Sequence, residues 1–258
     1  MIAASYINLD RAAERRAFME RQAQRVGLKL ERFPAVSADD VGEARFAALS
    51  NRWERPLARV EIALLLSHAS LWRKAVETDA PLAVFEDDAL LSPRLPEFLS
   101  RDLRGYDLIN LEYCGRRKFF RRYAGAGDLI DVVRDKSGSG AYVVSPQGAG
   151  KLLAALETAS GPSDAFMFAF GRVEIAQVEP ALAIQAVVLE AEGRDPGIET
   201  TRQIHQPPPA AMSKPENWIF AWRRFLTQLR FVPLHLGRGS FYEFRKPRID
   251  LSEFSADE

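Results

Sequence analysis

One stretch of the chain reads Leu82-Ala83-Val84-Phe85-Glu86-Asp87-Asp88, four apolar residues followed directly by three acidic ones. A short apolar run that follows a proline is typical of a buried strand. In open α/β sheets, ligands bind at the carboxyl ends of the strands, which is where these carboxylates would stand. Carboxylate oxygens there suit a hard divalent cation, Mg²⁺ or Mn²⁺, which can bridge phosphates. A solvated acidic turn after the strand is the alternative.

The residues before this stretch alternate between strand and helix patterns. Ile2–Leu9 has the composition of a buried strand, and Asp10 is a suitable N-cap for a helix that Gly27 ends. Leu30–Val36 predicts a second strand. Val60–Thr78 predicts a long helix, because its apolar residues recur mostly at steps of three and four. Strand, helix and strand in succession indicate an α/β fold.

The pattern continues after the acidic residues as far as Leu189. Apolar runs predict further strands, and a proline that opens an amphipathic run predicts another helix. The predicted elements are strands at Tyr106–Tyr113, Leu129–Val133, Ala141–Ser145 and Val173–Leu189, a basic mobile loop or hairpin at Gly115–Gly127, and a helix at Pro146–Ala159.

The composition changes after Leu189. Residues 191–217 contain Pro207-Pro208-Pro209, which indicates a stiff linker. Trp218–Arg248 is aromatic and basic, with seven arginines and lysines against Glu243 alone. We therefore predict a main α/β domain at residues 1–190, a linker at 191–217 and a basic aromatic helical segment at 218–258. This segment either lies on an anionic membrane surface or packs on the main domain with its arginines in solvent.

Composition and the absence of several motifs narrow the function. The formal net charge is zero and 47% of residues are hydrophobic, which indicates a globular domain with a substantial core. The neutral charge and the lack of a recognised motif argue against a nucleic-acid-binding protein. The sequence has no zinc-ligand spacing, phosphate loop or Gly-x-Ser-x-Gly elbow. Without a signal-like start or a long apolar run, we expect a cytoplasmic protein, either free or peripheral on the inner face of the cytoplasmic membrane.

Two further groups of residues are suited to ligand binding. Arg11 and Arg15 follow the first strand, where arginines can bind a pyrophosphate through forked hydrogen bonds. A solvated helix face is the alternative for them. His68 lies beside Ser67 in the predicted long helix, as a hydrogen-bonded structural histidine or as part of a binding site.

Four segments of the chain, in order, resemble glycosyltransferase family 25, the bacterial lipooligosaccharide galactosyltransferase family. A single motif would be weak evidence, whereas four in the expected order are specific. The segments are Ile7–Arg16, Glu61–His68 with Trp72, Leu82–Leu91, and Gly140–Ser145 followed by Gly148, Ala149, Leu152 and Pro162–Asp164.

This resemblance implies a GT-A-like fold, a nucleotide-sugar-binding α/β domain with a central mixed sheet. It also implies transfer of a hexose, galactose or glucose, from a UDP-sugar to a lipooligosaccharide or other surface glycan, with inversion at the anomeric carbon. Asp87 and Asp88 would hold Mn²⁺ or Mg²⁺ on the donor pyrophosphate. The alternative is a catalytically inactive relative that binds a glycan or a protein partner.

The predicted site residues take roles in this reaction. Asp164 is the candidate general base, with binding of donor-sugar hydroxyls as its alternative role, and Glu112 is the second candidate. The predicted donor-binding residues are Asn8, Leu9, Arg11, Arg15, Ser67, His68, Glu86 and Asp87.

Overall fold

The computed structural model describes residues 1–134, 137–200 and 217–254 of the 258-residue chain. A nine-stranded mixed sheet and a smaller three-stranded sheet form the framework of this part. Its strands are, in chain order, β1 (Ala3–Asn8), β2 (Leu30–Pro34), β3 (Leu82–Glu86), β4 (Ala89–Leu91), β5 (Leu108–Asn110), β6 (Glu112–Tyr113), β7 (Lys118–Ala126), β8 (Leu129–Arg134), β9 (Ala141–Val144), β10 (Ile175–Val178), β11 (Ala183–Gln185) and β12 (Tyr242–Arg245).

Helices pack on these sheets, and the predicted α/β fold with a central mixed sheet and a helical C-terminal segment is confirmed. The helices of the described residues are α1 (Ala13–Val26), α2 (Glu43–Ser50), α3 (Arg59–Glu77), α4 (Leu95–Ser100), α5 (Pro146–Leu156), α6 (Ser163–Ala169), α7 (Ala186–Ala191) and α8 (Trp218–Leu236), and a 3₁₀ turn spans Leu251–Glu253. None of these helices is both long enough and apolar enough to cross a membrane.

The order of the large sheet is β12-β7-β8-β10-β5-β9-β3-β1-β2. Strand β1 pairs in parallel with β2 and β3. Strand β9 lies between β3 and β5 and is antiparallel to both. The beginning of β9 therefore lies at the same edge of the sheet as the ends of β1, β3 and β5. We call this the carboxyl edge.

Hydrophobic cores cover both faces of the large sheet. Strand β3 shows why, because successive side chains of a strand point to opposite faces. Ala83 and Phe85 belong to the core under α1 and α4, and Leu82 and Val84 to the core under α3, α5 and α6. All four side chains are buried, so the apolar run before the acidic residues is a strand covered on both faces.

The long helix α3 is confirmed and begins with an acidic cap. The Glu61 carboxylate accepts a hydrogen bond from the Ala58 N–H at 2.9 Å, which satisfies one of the free amides at the helix start. Arg55 holds the same carboxylate, with Nη1 2.8 Å from Oε2. The buried face of α3 carries Ser67, His68 and Trp72, which places all three under the sheet.

Helix α5 packs against the start of β5 at unusually short range. Its N-cap, Ser145, accepts a hydrogen bond from the Gly148 N–H at 3.0 Å. A Cβ atom on Gly148 would lie 2.2 Å from the Asp107 carbonyl oxygen, so only glycine fits there. Lys151 of the same helix pairs with the Asp107 carboxylate at 2.6 Å.

Two of the sequence-based boundaries near the N-terminus and the middle of the chain are wrong. Helix α1 begins at Ala13 with Ala12 as its cap, because the Asp10 carboxylate pairs with Arg32 on β2 instead. The strand predicted at 106–113 is two strands, since β5 joins the large sheet and β6 the small one.

The second half of the chain holds further differences. The strand predicted at 173–189 is β10, β11 and the helix α7, because the chain leaves one sheet, enters the other and then turns. The basic stretch at 115–127, predicted as a mobile loop or hairpin, forms the single strand β7, which makes a hairpin with β8 beyond the stretch.

The C-terminal segment contributes to the large sheet. Its strand β12 pairs with β7 in antiparallel orientation, with Phe244 opposite Phe119. The rings of these two residues stack with their centroids 4.5 Å apart. The predicted boundaries at residues 190 and 217 stay predictions, and the triple proline at 207–209 lies outside the described residues.

Candidate active site

The predicted acidic residues stand at the carboxyl edge of the large sheet. Strand register places Ile7 opposite Glu86, so Asn8 and Asp87 follow side by side. Phe85 lies opposite Ala141, which brings Ser139 and Gly140 to the same place. Four chain segments far apart in sequence, including the end of β5, therefore meet around the carboxylates.

Asp87 is held by two of the predicted donor-binding residues. Its Oδ2 accepts a hydrogen bond from Asn8 Nδ2 at 2.8 Å, and its Oδ1 accepts one from Arg15 Nη1 at 2.8 Å. Asn8 is buried and is itself fixed by Arg32 Nε, 3.0 Å from its Oδ1. Arg15 Nη1 also lies 3.7 Å from Asp88 Oδ2. One guanidinium thus faces two carboxylates, which orients a positive charge into the site.

Asp88 and Glu112 are two carboxyl groups that are reluctant to ionise. Burial and the nearby charge of Glu86 raise the pKa of Asp88 to about 7, although Arg15 opposes the rise. The same two causes raise the pKa of Glu112 to about 8. Glu112 Oε2 accepts a hydrogen bond from the Gly140 N–H at 2.8 Å. Asp88 Oδ1 is buried and has no hydrogen-bond partner among the described residues.

Glu86 shifts in the opposite direction. Burial disfavours its charge, but contact with His68, a hydrogen bond from Ser139 and the charge of Arg15 outweigh burial and hold its pKa below the usual range. Ser139 Oγ lies 2.7 Å from Glu86 Oε1, and His68 Nε2 lies 3.5 Å from the same oxygen. Near neutral pH the site therefore combines an ionised carboxylate with two that readily hold protons.

His68 is oriented by a buried chain of hydrogen bonds. Trp72 Nε1, which can only donate, lies 2.9 Å from the Tyr142 hydroxyl. That hydroxyl is also 2.9 Å from His68 Nδ1. With its oxygen accepting from Trp72, Tyr142 is placed to donate to Nδ1, which leaves the proton of neutral His68 on Nε2, facing Glu86. The chain fixes the ring and directs its second nitrogen into the site.

Tyr142→Phe should destabilise the protein by about 2 to 4 kcal/mol, because it leaves Trp72 Nε1 and His68 Nδ1 buried without a partner. Tyr106→Phe is the matched control: its hydroxyl donates to Asp131 at 2.8 Å on a half-buried surface, where water can replace it. Urea unfolding of both variants measures the difference. Equal losses in the two variants would contradict the proposed importance of the buried chain.

Asp164, predicted in a loop, lies instead in the first turn of α6 and is half-buried. The preceding residue, Ser163, links it to the carboxyl edge. Ser163 Oγ lies 3.2 Å from Ser139 Oγ, and Ser139 donates to Glu86. The structure therefore places Asp164 next in the chain to a residue that contacts the carboxyl edge, with its own carboxylate near Arg55, and it places Glu112 at the buried side of that edge.

The remaining predicted donor-binding residues have different surroundings. The Ser67 hydroxyl accepts a hydrogen bond from the Val36 N–H and donates to the Ala63 carbonyl, both at 2.9 Å. It ties α3 to the residues after β2. Leu9 is half-buried in the turn after β1, and Arg11 is exposed there. Their roles in donor binding stay predictions.

The carboxylates suit a hard cation, although they do not form a complete metal cage. Within the described residues no three or more acidic, histidine or cysteine side chains are grouped to hold one ion. Mg²⁺ and similar ions usually take one or two protein carboxylates and complete their shell with substrate phosphates and water. The partnerless buried oxygen of Asp88 is an available ligand of this kind. Asp87 keeps lone pairs beyond its two hydrogen bonds.

Ser139 and Tyr142 are site residues that the sequence did not reveal. Ser139 stands between two glycines before β9, a pattern that signals close backbone approach without saying what approaches. A Cβ on the second of them, Gly140, would lie 3.1 Å from the Glu112 Cδ. Tyr142 is separated from Trp72 and His68 by at least 70 positions, so no local pattern indicates their contact.

The family model described as Glycosyltransferase family 25 (LPS biosynthesis protein) matches residues 1–167. This range contains the site carboxylates Glu86, Asp87, Asp88 and Glu112, and also Asp164. The chain belongs to glycosyltransferase family 25. The resemblance seen in the sequence is thereby confirmed, and the carboxyl edge described above lies within the matched region.

Relatives of this family 25 chain occur in insects and bacteria. A "Glycosyltransferase 25 family member" of Drosophila pseudoobscura pseudoobscura is 32% identical over 58% of this chain and 26% of its own length. The chain thus spans about a quarter of the length of this insect relative. A "Lacto-N-neotetraose biosynthesis glycosyltransferase LgtB" of Neisseria meningitidis is 37% identical over 37% of this chain and 36% of its own. The galactosyltransferase LgtC, solved with donor and acceptor sugar analogues, aligns with 68% of this chain and 73% of its own at 11% identity and a TM-score of 0.43.

Proposed function

We propose that the chain is a GT-A-like, inverting glycosyltransferase that moves a hexose, galactose or glucose, from a UDP-sugar to a lipooligosaccharide or another surface glycan. Membership of family 25 supports the reaction class. The observation that carries the proposal is the group of half-buried carboxylates at the carboxyl edge beside the buried Glu112, with Arg15 next to Asp87 and a partnerless oxygen on Asp88. Such groups are arranged at cost to stability, which is typical of functional sites.

The donor diphosphate would bind where Arg15 and the carboxylates meet. A bound Mn²⁺ or Mg²⁺, held by Asp87 and Asp88, would neutralise charge on the leaving diphosphate. Arg15 adds a fixed positive charge that needs no rearrangement when the bond breaks, and Arg11 lies in the adjoining turn. Asn8 holds Asp87 in position from the other side.

An inverting transfer also requires removal of the acceptor proton. Asp164 is our candidate for this base because it is half-buried and directly follows Ser163, which contacts Ser139 at the carboxyl edge. Glu112 is a less suitable base, since it is buried and its pKa of about 8 keeps it protonated at neutral pH. His68, directed by Tyr142, would position Glu86 beneath the donor.

The activity is tested by incubating the protein with Mn²⁺, lipooligosaccharide and a panel of UDP-sugars, and measuring UDP release and labelled product. We expect UDP to be released from one of the UDP-sugars, and we expect a chelator to abolish this release. The anomeric configuration of the product, read by NMR, should be opposite to that of the donor. If no donor is turned over and none binds in calorimetry, the chain is an inactive relative instead.

Asp164→Asn should lower kcat by about 10² to 10⁴, the range for loss of a general base, while the Kd for the UDP-sugar stays within about threefold. The reason is that the base contributes only when the acceptor reacts. Steady-state rates at saturating donor and acceptor measure kcat, and calorimetry measures the Kd. A weaker Kd with unchanged kcat would assign Asp164 to binding of donor hydroxyls.

A further inference from the structure

Helix α8 is attached to the main domain by one of its faces. Phe220 and Leu234 on this inner face are buried. Phe231 packs against Phe119 of β7, with ring centroids 6.3 Å apart. Arg223 Nη1 donates to the Asn51 and Trp53 carbonyl oxygens, at 2.5 and 3.0 Å. These contacts fix the orientation of the helix, so its opposite face has a defined direction.

The opposite face of α8 carries a continuous row of large apolar side chains, which we call the outer stripe. Its members recur at alternating steps of four and three, the spacing that aligns side chains along one side of a helix. They remain exposed in the described structure, with fractions from 48% to 82%. The outer stripe consists of Trp218, Trp222, Phe225, Leu229, Val232 and Leu236.

Two neighbours widen the outer stripe. Ile219 and Leu226 flank it and are 54% and 37% exposed. The rings of Trp222 and Phe225 stack on each other with their centroids 5.5 Å apart, so these two aromatic side chains are in contact. Soluble proteins rarely expose so large a contiguous apolar area without a partner.

The charge of α8 indicates what covers the outer stripe. The helix contains no acidic residue and three arginines, in a chain whose formal net charge is zero. Arg224 and Arg230 are exposed on the two flanks of the helix between the stripe and the inner face, where Arg224 also donates to the Glu54 carbonyl oxygen at 3.3 Å, and Arg238 follows the helix. A second copy would bring the same arginines together, which like-charge repulsion opposes. An anionic surface attracts them.

We propose that the outer stripe of α8 docks the protein on an anionic lipid bilayer, with the helix lying in the plane of the headgroups. Tryptophan and phenylalanine on the apolar side and arginine on the flanks of the helix are the composition of such interfacial helices. The helix lies on the membrane and does not cross it, since it is not apolar enough to span. This inference concerns a surface separate from the carboxyl edge, and it does not depend on the proposed reaction.

Co-sedimentation with vesicles tests the docking with the full chain. We expect binding to vesicles containing about 30% phosphatidylglycerol and much weaker binding to pure phosphatidylcholine. The double variant Trp222→Ser/Phe225→Ser should weaken partitioning by at least about tenfold, because it removes two rings from the stripe. Val76→Ser is the matched control, as Val76 is an exposed apolar residue on α3. Arg230→Gln should cost about fivefold on anionic vesicles only.

Membrane docking, coverage by another part of the chain and dimerisation give different results in this experiment. Thermal unfolding first shows that each variant is folded, which exposed substitutions should permit. Absence of binding by the full chain, or equal binding to both vesicle types, would overturn the proposal. A stripe covered by residues 201–216 would give no vesicle binding, and a stripe that joins two copies would give a dimer in ultracentrifugation that the double variant loses.

Discussion

Asp88→Asn should lower UDP-sugar turnover by at least about a hundredfold. The substitution keeps the shape of the side chain but removes the charge that Asp88 would supply to a cation on the donor diphosphate. Losses of this size are typical when one preorganised electrostatic group is removed from an active site. Steady-state UDP release with Mn²⁺ present measures the effect. Asp102→Asn, at an exposed carboxylate paired with Arg104, is the control and should leave turnover unchanged.

The Asp88→Asn variant should be folded, and at high pH it should be more stable than the unsubstituted protein. Burial raises the pKa of Asp88 from 3.8 to about 7 in the folded protein. Between these two values the folded state binds a proton that the unfolded state releases, so Asp88 lowers the stability as the pH rises through this window. The asparagine variant lacks this loss of stability. Urea unfolding at pH 5 and pH 8 gives the change in the free energy of unfolding with pH for each of the two proteins. Full turnover by a folded Asp88→Asn protein would contradict the proposed site.

Gly148→Ala should destabilise the protein by a clearly measurable amount. The added Cβ would lie 2.2 Å from the Asp107 carbonyl oxygen. Because the contacting atoms belong to the backbone, no side-chain rotation can relieve the clash. Overpacking of a fixed contact costs about 1 to 3 kcal/mol and occasionally more. Relief would require α5 to move away from β5, which would also disturb the Ser145 cap and the Lys151 ion pair. Thermal unfolding should show a melting temperature lower by about 5 °C or more.

Gly150→Ala is the matched control, two residues further along α5. A Cβ on Gly150 meets no atom within 4 Å, so the substitution is sterically free. Alanine is the better helix former by up to about 1 kcal/mol, and a small gain in stability is expected. Similar losses in both variants would show that helix propensity, rather than the Asp107 contact, determines the result.

The location of the site could be predicted from the sequence because it depends on local patterns. An apolar run followed by acidic residues is visible in seven consecutive positions, and the structure places Glu86 at the end of β3. Arg15 was found for a similar reason, as an arginine after the first strand, whereas Asn8 was named only through the family resemblance of Ile7–Arg16. The pairing of Asp87 with both confirms that these segments meet, while their role in donor binding remains to be tested.

The parts that could not be predicted depend on contacts between distant segments. The cap of α1 was misplaced because Asp10 pairs with Arg32, 22 positions away, which removes it from the helix start. Lys118 was predicted in a basic mobile loop or hairpin, yet its side chain is buried and donates to Gln177 at 2.8 Å. No pattern around either residue shows its partner, since both partnerships are set by sheet order and register.

The position of β12 bears on how this protein can be recombined with its relatives. The family match ends at residue 167, whereas the large sheet is completed by β10 and, at its border, by β12 at Tyr242–Arg245. In a hybrid joined at residue 167, residues of the other family member would have to form β10 and β12 in the large sheet. Loops grafted onto the intact chain should therefore leave the sheet folded, whereas halves spliced at residue 167 should disturb the places of β10 and β12 in it.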